Sequence, residues 1–139
     1  MKKVFALGLG ILMLASCSKD DEASAIDASK LPKKWYFSTT RVLGQTIPYD
    51  DHEECGKDYL EFLSSGILKS VDIWDCVSYT DTGAWILEGN KITISFDGAA
   101  AAESGTVSKL TDTELQLTIR GDYNDDGKDE TIISTFTSN

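Results

Sequence analysis

The chain has 139 residues, of which 13 are basic and 23 acidic, and its formal net charge is −10. An excess of negative charge repels nucleic acid and anionic lipid head groups, so the composition argues against a nucleic-acid-binding protein. The chain has one histidine and no nucleophile motif, and we therefore predict that it is not an enzyme, because catalysis needs a base, a nucleophile or a metal held in a defined site.

Residues 1–16 predict an export signal, because Lys2 and Lys3 precede the apolar run VFALGLGILMLA. This run is shorter than the roughly 20 residues that span a bilayer. The residues LASC that end at Cys17 resemble the lipobox, where a bacterial signal peptidase cuts and the cysteine is diacylated. We expect Cys17 to anchor the chain to a membrane; a secretory peptide with an incidental cysteine is the alternative. Cleavage would leave 11 basic and 23 acidic residues, a net charge of −12.

The stretch SKDDE after Cys17 resembles the acidic tag that sends lipoproteins of Bacteroidota-type bacteria to the outer cell surface. An ordinary soluble tether is the alternative interpretation. Residues 17–32 offer little to bury and predict a flexible tether. The folded domain is expected over residues 33–139, about 107 residues, which is enough for one core and not for two. We expect a lipid-anchored, surface-exposed monomer at the outer membrane.

Cys55 and Cys76 form an even pair once Cys17 is acylated, and an exported protein meets an oxidising compartment. If Ser65 and Gly66 form a two-residue hairpin turn, residue 55 lies opposite residue 76. A slip of one residue would keep the two cysteines close. We therefore predict a disulfide. A metal site that uses His52 and Cys55 is the alternative, but the sequence supplies no convincing further ligands.

Hydrophobic residues alternate with polar ones along most of the mature chain, which is typical of strands with one buried face. In KITISF, for example, Ile92, Ile94 and Phe96 fall on one face. Turn signals separate such segments, including SSG at 64–66 and SYTDTG at 78–83. The pattern predicts eight strands, near 34–43, 58–63, 67–75, 83–88, 91–96, 104–109, 114–120 and 131–137.

Short links between successive strands imply antiparallel pairing, and closing the sheet removes its exposed edges. We therefore predict an all-β fold, an eight-stranded antiparallel up-and-down barrel. A barrel of eight strands has room for side chains or for one small ligand. Large inward residues favour an interior that is filled or nearly filled, with at most a small pocket; these are Trp35, Phe62, Trp85, Phe96 and Phe136.

The order and spacing of several landmarks over residues 33–139 resemble the lipocalin-like domain of Bacteroidota-type lipoproteins. The landmarks are Trp35, Cys55 followed by KDYLEFLSSG, Cys76, TGAWILEGNKITI and LTDTELQLTI. The resemblance implies a calycin-type barrel and binding of a small hydrophobic molecule at the cell surface. A protein interaction module, or one that resembles a protease inhibitor, is the alternative function.

Residues 43–57 form the longest link between predicted strands, and in lipocalins the corresponding loop lies over the mouth of the barrel. Loops carry most contacts with outside molecules, so we identify Tyr49, Asp50, His52 and Glu54 as the candidate ligand or partner loop. A solvated acidic loop is the alternative.

The stretch GDYNDDGKDE near the C-terminus matches the DxNxDG core of calcium loops. Asp122, Asn124 and Asp126 take positions 1, 3 and 5, the carbonyl of Lys128 takes position 7, and Glu130 takes position 9. Position 12 is isoleucine where an EF-hand has glutamate, and the flanks are strands. We expect weak Ca²⁺ binding in a β-hairpin at roughly 0.1 to 1 mM; a hydrophilic hairpin tip is the alternative.

Overall fold

The computed structural model describes residues 26–139 of the chain. The predicted signal peptide, Cys17 and the acidic tag lie outside the described residues. Within residues 26–139, no helix is long and apolar enough to cross a membrane.

The described chain forms one short 3-10 helix and nine strands. The helix is Ala28–Lys30, and the strands are β1 Lys34–Val42, β2 Gln45–Pro48, β3 Tyr59–Phe62, β4 Ile67–Trp74, β5 Val77–Glu88, β6 Lys91–Phe96, β7 Glu103–Leu110, β8 Glu114–Gly121 and β9 Glu130–Thr137.

The sheet closes on itself, because β1 pairs with β3 along one edge and with β9 along the other, antiparallel in both cases. Strands β1 and β3 to β9 follow one another around the barrel, and each pairs with the next. The predicted eight-stranded antiparallel barrel is therefore confirmed. Strand β2 is an addition that pairs only with the end of β1 through a tight turn at Leu43 and Gly44.

The core fills one end of the barrel. Trp35, Phe62, Leu68 and Leu115 are fully or almost fully buried there, as the alternation in their strands predicts. Leu31 joins them with no exposed surface, and its carbonyl accepts a hydrogen bond of 2.9 Å from Trp35 Nε1. The sequence placed Leu31 in the tether, but its side chain belongs to the core because the 3-10 helix folds under this end.

The antiparallel topology puts successive connections at opposite ends of the barrel. The 3-10 helix and the turns at 63–66, 89–90 and 111–113 lie at one end, which we call the closed end. The connections at 43–58, 75–76, 97–102 and 122–129 lie at the other, which we call the mouth. Both loops singled out from the sequence are therefore at the mouth.

The hairpin of β4 and β5 extends beyond the barrel wall at the mouth. Its turn is Asp75–Cys76, where both residues have positive φ, as a type I′ hairpin turn requires. The predicted turn at 78–83 is wrong, because those residues continue β5 and pair with β4. Only residues 83–88 of β5 also pair with β6, so the outer half of the hairpin leaves the closed sheet.

The predicted disulfide joins Cys55 to Cys76, with 5.7 Å between the two Cα atoms. The register of β3 with β4 differs by one residue from the prediction, because Phe62 lies opposite Leu68 and the connection is longer than two residues. The cysteines stay close enough to bond despite this slip. The disulfide fastens the loop before β3 to the tip of the β4–β5 hairpin.

Candidate functional site

A cavity of about 250 Å³ lies in the barrel interior on the side of the mouth. Its lining is mostly apolar, with three polar residues, Ser70, Glu103 and Ser134; the apolar residues are Phe37, Leu60, Leu68, Ile94, Phe96, Leu117, Ile119 and Phe136. An apolar cavity of about 150 Å³ is large enough for benzene, whereas drug-sized ligands occupy roughly 300 Å³ or more. The interior therefore has room for one small molecule of mainly apolar character. This size agrees with the small pocket predicted from the sequence.

One wall of the mouth is held by a buried carboxylate in the loop before β3. Asp58 is 1% exposed, and its two oxygens accept hydrogen bonds of 2.6 Å from the Tyr49 hydroxyl and 2.7 Å from the backbone N–H of Ile73. The ring of Tyr49 stacks on Phe37 with the centroids 5.0 Å apart. Because Phe37 lines the cavity, this network fixes one side of the cavity entrance.

His52 belongs to the same network through both of its ring nitrogens. The backbone N–H of Asp58 donates to Nδ1 at 3.1 Å, so Nδ1 carries no proton, and Nε2 lies 2.8 Å from the carbonyl oxygen of Phe37 and donates to it in the neutral ring. Burial raises the pKa of Tyr49 well above its ordinary value, and the hydrogen bond to the Asp58 carboxylate is the second-largest cause of this rise. Tyr49 is therefore a proton donor in a structural network.

The extended hairpin adds an aromatic and acidic face above the cavity. Side chains alternate along a strand, so Asp72 and Trp74 share the face of the cavity residue Ser70, and Tyr79 and Asp81 lie opposite them on β5 together with Val77. Trp74 is 65% exposed and Tyr79 55%. This face continues the inner surface of the barrel beyond the mouth.

Negative charge is concentrated at the mouth. Acidic residues make up five of the 16 residues in 43–58, three of the ten in 72–81, two of the seven in 97–103 and five of the nine in 122–130. The same segments contain only two basic residues, Lys57 and Lys128. Five of the ten basic residues in 26–139 lie at the closed end instead, namely Lys30, Lys33, Lys34, Lys91 and Lys109, while Arg41 and Arg120 lie at the mouth-side ends of β1 and β8. The protein is thus electrically polarised along the barrel axis.

A family model described as a lipocalin-like domain matches residues 31–117. The chain belongs to the lipocalin-like domain family. The predicted resemblance is therefore confirmed, and the match begins at Leu31, which the structure also places in the core. A search of the curated proteins finds no match.

Solved structures agree on the fold of this lipocalin-like domain. A lipocalin-like protein from Bacteroides uniformis ATCC 8492 superposes with a TM-score of 0.60 at 17% identity, covering 79% of this chain and 99% of that one. An uncharacterized protein from Bacteroides eggerthii DSM 20697 gives 0.57 at 13% identity, with 78% and 99% covered. Lobster apocrustacyanin A1 gives 0.54 at 18% identity, with 81% and 63% covered. At these identities the likeness concerns the fold alone.

The four residues of the predicted ligand or partner loop divide into two pairs. Tyr49 and His52 are partly buried and hold Asp58 and Phe37, whereas Asp50 and Glu54 are exposed at the rim. Tyr49 and His52 therefore support the cavity entrance indirectly, by holding Asp58 and Phe37 in place.

The predicted calcium loop is held by its own side chains. Asp122 accepts hydrogen bonds from the backbone N–H groups of Asp126 and Gly127, at 3.0 and 2.8 Å, and Asp126 accepts one from Lys128 at 3.0 Å. Asn124 accepts a longer one, of 3.3 Å, from the N–H of Asp126, while Glu130 Oε2 accepts the N–H of Tyr123 at 2.8 Å. Its carboxylates form no group of three within 4.8 Å of one another in the described chain. Ca²⁺ binding at this loop stays a prediction.

One group of three potential metal ligands is brought together in residues 26–139, namely Glu53, Cys55 and Cys76. Its sulfur atoms form the disulfide and are not thiolates, so they offer no metal site. Glu53 has another role: its two carboxylate oxygens accept the backbone N–H groups of Asp75 and Cys76, at 2.8 and 2.9 Å. Glu53 thus holds the positive-φ turn at the hairpin tip.

Sequence reasoning missed the mouth residues Asp72, Trp74, Tyr79 and Asp81. The assignment of 78–83 as a turn removed half of the hairpin from consideration. A signal was present in WDCV, because Asp75, a residue type that tolerates positive φ in turns, stands between the apolar residues Trp74 and Val77, which pair across the strands. Glu103 was missed as a cavity residue because the prediction began the strand one position later.

Proposed function

We propose that the protein is a cell-surface lipoprotein whose barrel is a non-catalytic binding module for a small hydrophobic molecule. The observation that carries this proposal is the interior cavity at the mouth, which is lined by eight apolar residues and has room for one small ligand. The other end is packed with side chains, and Leu60, Leu68, Leu117 and Phe136 belong both to this core and to the cavity lining, so the packed core forms the floor of the cavity.

The arrangement of polar groups supports binding without catalysis. The groups most suited to proton transfer, His52, Asp58 and Tyr49, use their polar atoms on one another and on the backbone of Phe37 and Ile73. The remaining polar lining of the cavity, two serines and Glu103, includes no serine–histidine pair.

The position of the described N-terminus supports a lipid anchor at Cys17 that leaves the mouth free. Ile26 packs against the core at the closed end, so a tether of residues 17–25 reaches the barrel there. An acylated Cys17 would attach the barrel to the membrane from its closed end and leave the mouth and its acidic loops accessible.

Calorimetric titration of the full chain with neutral probes, such as indole, hexanol and phenylbutanol, tests the binding proposal. The Cys17→Ser substitution removes the predicted acylation site, so that no attached acyl chain competes. We expect saturable binding of at least one probe, loss of binding in Ser134→Phe, which fills the cavity, and retention in the matched control Thr135→Phe, which lies on the outer face. Absence of binding by all three probes, or equal binding by both variants, contradicts the proposal.

Metabolic labelling with a clickable fatty acid tests the anchor independently. The full chain produced in a bacterium that makes lipoproteins should incorporate the label, and Cys17→Ala should not. Protease treatment of intact cells then tests surface exposure, because a surface protein is degraded without lysis. An unlabelled chain, or one protected until lysis, contradicts the corresponding part of the proposal.

A second candidate function is a protein interaction module, favoured by the exposed Trp74, Val77 and Tyr79 at the hairpin tip. Exposed aromatic residues that cluster in this way are enriched at protein interfaces. Crosslinking on intact cells should then capture one specific partner, and Trp74→Ala with Tyr79→Ala should release it. If no partner is captured, this second function is rejected.

A further inference from the structure

We propose that the molecule bound in the barrel is a small amphipathic amine, with its apolar part in the cavity and its ammonium group among the carboxylates at the mouth. This inference rests on the proposed function and adds the charge class of the ligand. Three features of the mouth lead to it.

The first feature is the carboxylate of Glu103 at the cavity. Glu103 is the first residue of β7, lines the otherwise mainly apolar cavity and is exposed on the side of the mouth. The ion pairs among residues 26–139 are Lys30–Asp112, Lys69–Glu61 and Lys109–Glu114, so no protein cation lies within 4.0 Å of Glu103. A ligand whose apolar part fills the cavity can place an ammonium group beside it.

The second feature is the face of the β4–β5 hairpin above the mouth. Asp72 lies opposite Tyr79 across the hairpin, and Asp81 lies opposite the cavity residue Ser70. Trp74 is one step further out on the same face. Carboxylates interleaved with exposed aromatic rings suit an organic cation, because the charge pairs with the carboxylate and the ring faces attract the cation. Neither carboxylate has a basic side chain within ion-pair distance in the described chain.

The third feature is the distribution of charge over the whole barrel. Fifteen acidic residues and two lysines lie in the four mouth segments, and the adjoining strand ends add only Arg41 and Arg120, so the mouth keeps a large excess of negative charge. A cleft lined by one sign of charge concentrates ligands of the opposite sign and accelerates their association. A fatty acid of the same size would have to bring its carboxylate into this negative field. The mouth therefore selects against anions and in favour of cations.

Three probes of matched shape test the inference: phenylbutylamine, phenylbutanol and phenylbutanoate. Each is titrated calorimetrically into the full chain that carries Cys17→Ser, at low salt and again at about 1 M salt, where charges are screened within about 3 Å. We expect the amine to bind about three- to tenfold more tightly than the alcohol, and the carboxylate more weakly than both. High salt should reduce these ratios towards one.

The charge variants locate the effect. Glu103→Gln combined with Asp72→Asn and Asp81→Asn should bring the ratio of amine to alcohol affinity close to one while alcohol binding persists, which also shows that the variant is folded. Glu88→Gln neutralises an exposed carboxylate at the closed end and should leave the ratio unchanged.

If the wild-type chain binds amine and alcohol equally, or if the triple variant keeps the wild-type ratio, the amine inference is wrong and the binding module stands. If none of the three probes binds, the proposed function fails, and the amine inference fails with it.

Discussion

Tyr49→Phe removes one hydroxyl group at the mouth and keeps the ring that stacks on Phe37. The lost group donates a 2.6 Å hydrogen bond to Asp58, a carboxylate that is 1% exposed. Hydrogen bonds to charged groups contribute about 1.5 to 3 kcal/mol, and the partial exposure of Tyr49 places this one at the lower end. We therefore expect the free energy of unfolding to fall by about 1.5 kcal/mol at pH 7, measured by urea denaturation.

The same substitution has a distinctive pH dependence. Burial and the hydrogen bond to Asp58 raise the pKa of Tyr49 above its ordinary value of 10.0, so the unfolded chain loses this proton at a lower pH than the folded chain. The stability contributed by the protonated phenol is complete below pH 10 and is lost as the pH rises towards the folded pKa. The difference in stability between wild type and Tyr49→Phe should therefore be constant from about pH 7 to 9 and shrink above about pH 10.

Tyr79→Phe is the matched control, because Tyr79 is 55% exposed and its hydroxyl has no hydrogen-bond partner among residues 26–139. Its effect should stay within about 0.5 kcal/mol. The reasoning is refuted if Tyr49→Phe destabilises no more than Tyr79→Phe, or if its deficit does not shrink in alkali.

Three further predictions concern the disulfide, one close backbone approach and the acidic hairpin. Cys55→Ala with Cys76→Ala should lower the free energy of unfolding by about 3 kcal/mol, because the bond closes a loop across a separation of 21 residues; an unchanged urea midpoint contradicts this. Gly83→Ala should cost about 3 kcal/mol in the same assay, since a Cβ there would collide with the backbone of β6, and a loss below 1 kcal/mol would show that the sheet gives way. Millimolar Ca²⁺ should raise the melting temperature, and Asp122→Ala with Asp126→Ala should abolish the rise; no shift at several millimolar leaves the loop as a hairpin tip only.

The barrel could be predicted because its strands gain stability from one buried face. In β6 and β8 the residues Ile92, Leu115 and Leu117 are buried while their neighbours are more exposed, so the alternation in the sequence is the alternation in the structure. The disulfide followed from the same strands and survived a register slip of one residue, since adjacent strands keep such residues within bonding reach.

The parts that the sequence did not predict lack a buried face. Strand β2 is exposed along its whole length, and so is the outer half of β5. Because neither segment buries one face, neither shows the sustained alternation of hydrophobic and polar residues that predicts a strand. Backbone pairing, the Cys55–Cys76 bond and the Glu53 carboxylate hold these segments instead. The disulfide and the Glu53 hydrogen bonds join residues 21 to 23 positions apart in the chain and become visible only when the loops are in place.

In the candidate site, the strand topology determines which segments lie at the mouth, whereas side-chain packing determines the role of each residue there. The number and direction of the strands place the acidic segments at one end of the barrel. The negative charge of the mouth could therefore be predicted from the sequence. The roles of Tyr49 and His52 could not be predicted, because they depend on Asp58 being buried between them and β4.

Stability and binding are coupled at Phe37. Its ring lines the cavity and packs between two other rings. The ring centroid of Phe136 lies 4.9 Å away on the core side, and that of Tyr49 lies 5.0 Å away on the loop side. Since Asp58 holds Tyr49 in place, any change that frees Tyr49 also frees the wall of the cavity. Loss of the Tyr49 hydroxyl should therefore weaken binding of the neutral probes as well as stability, whereas loss of Glu103 charge should alter the selectivity between amine and alcohol and leave stability unchanged. The two carboxylates, Asp58 and Glu103, are thus separable by experiment: one builds the entrance, and the other selects what enters.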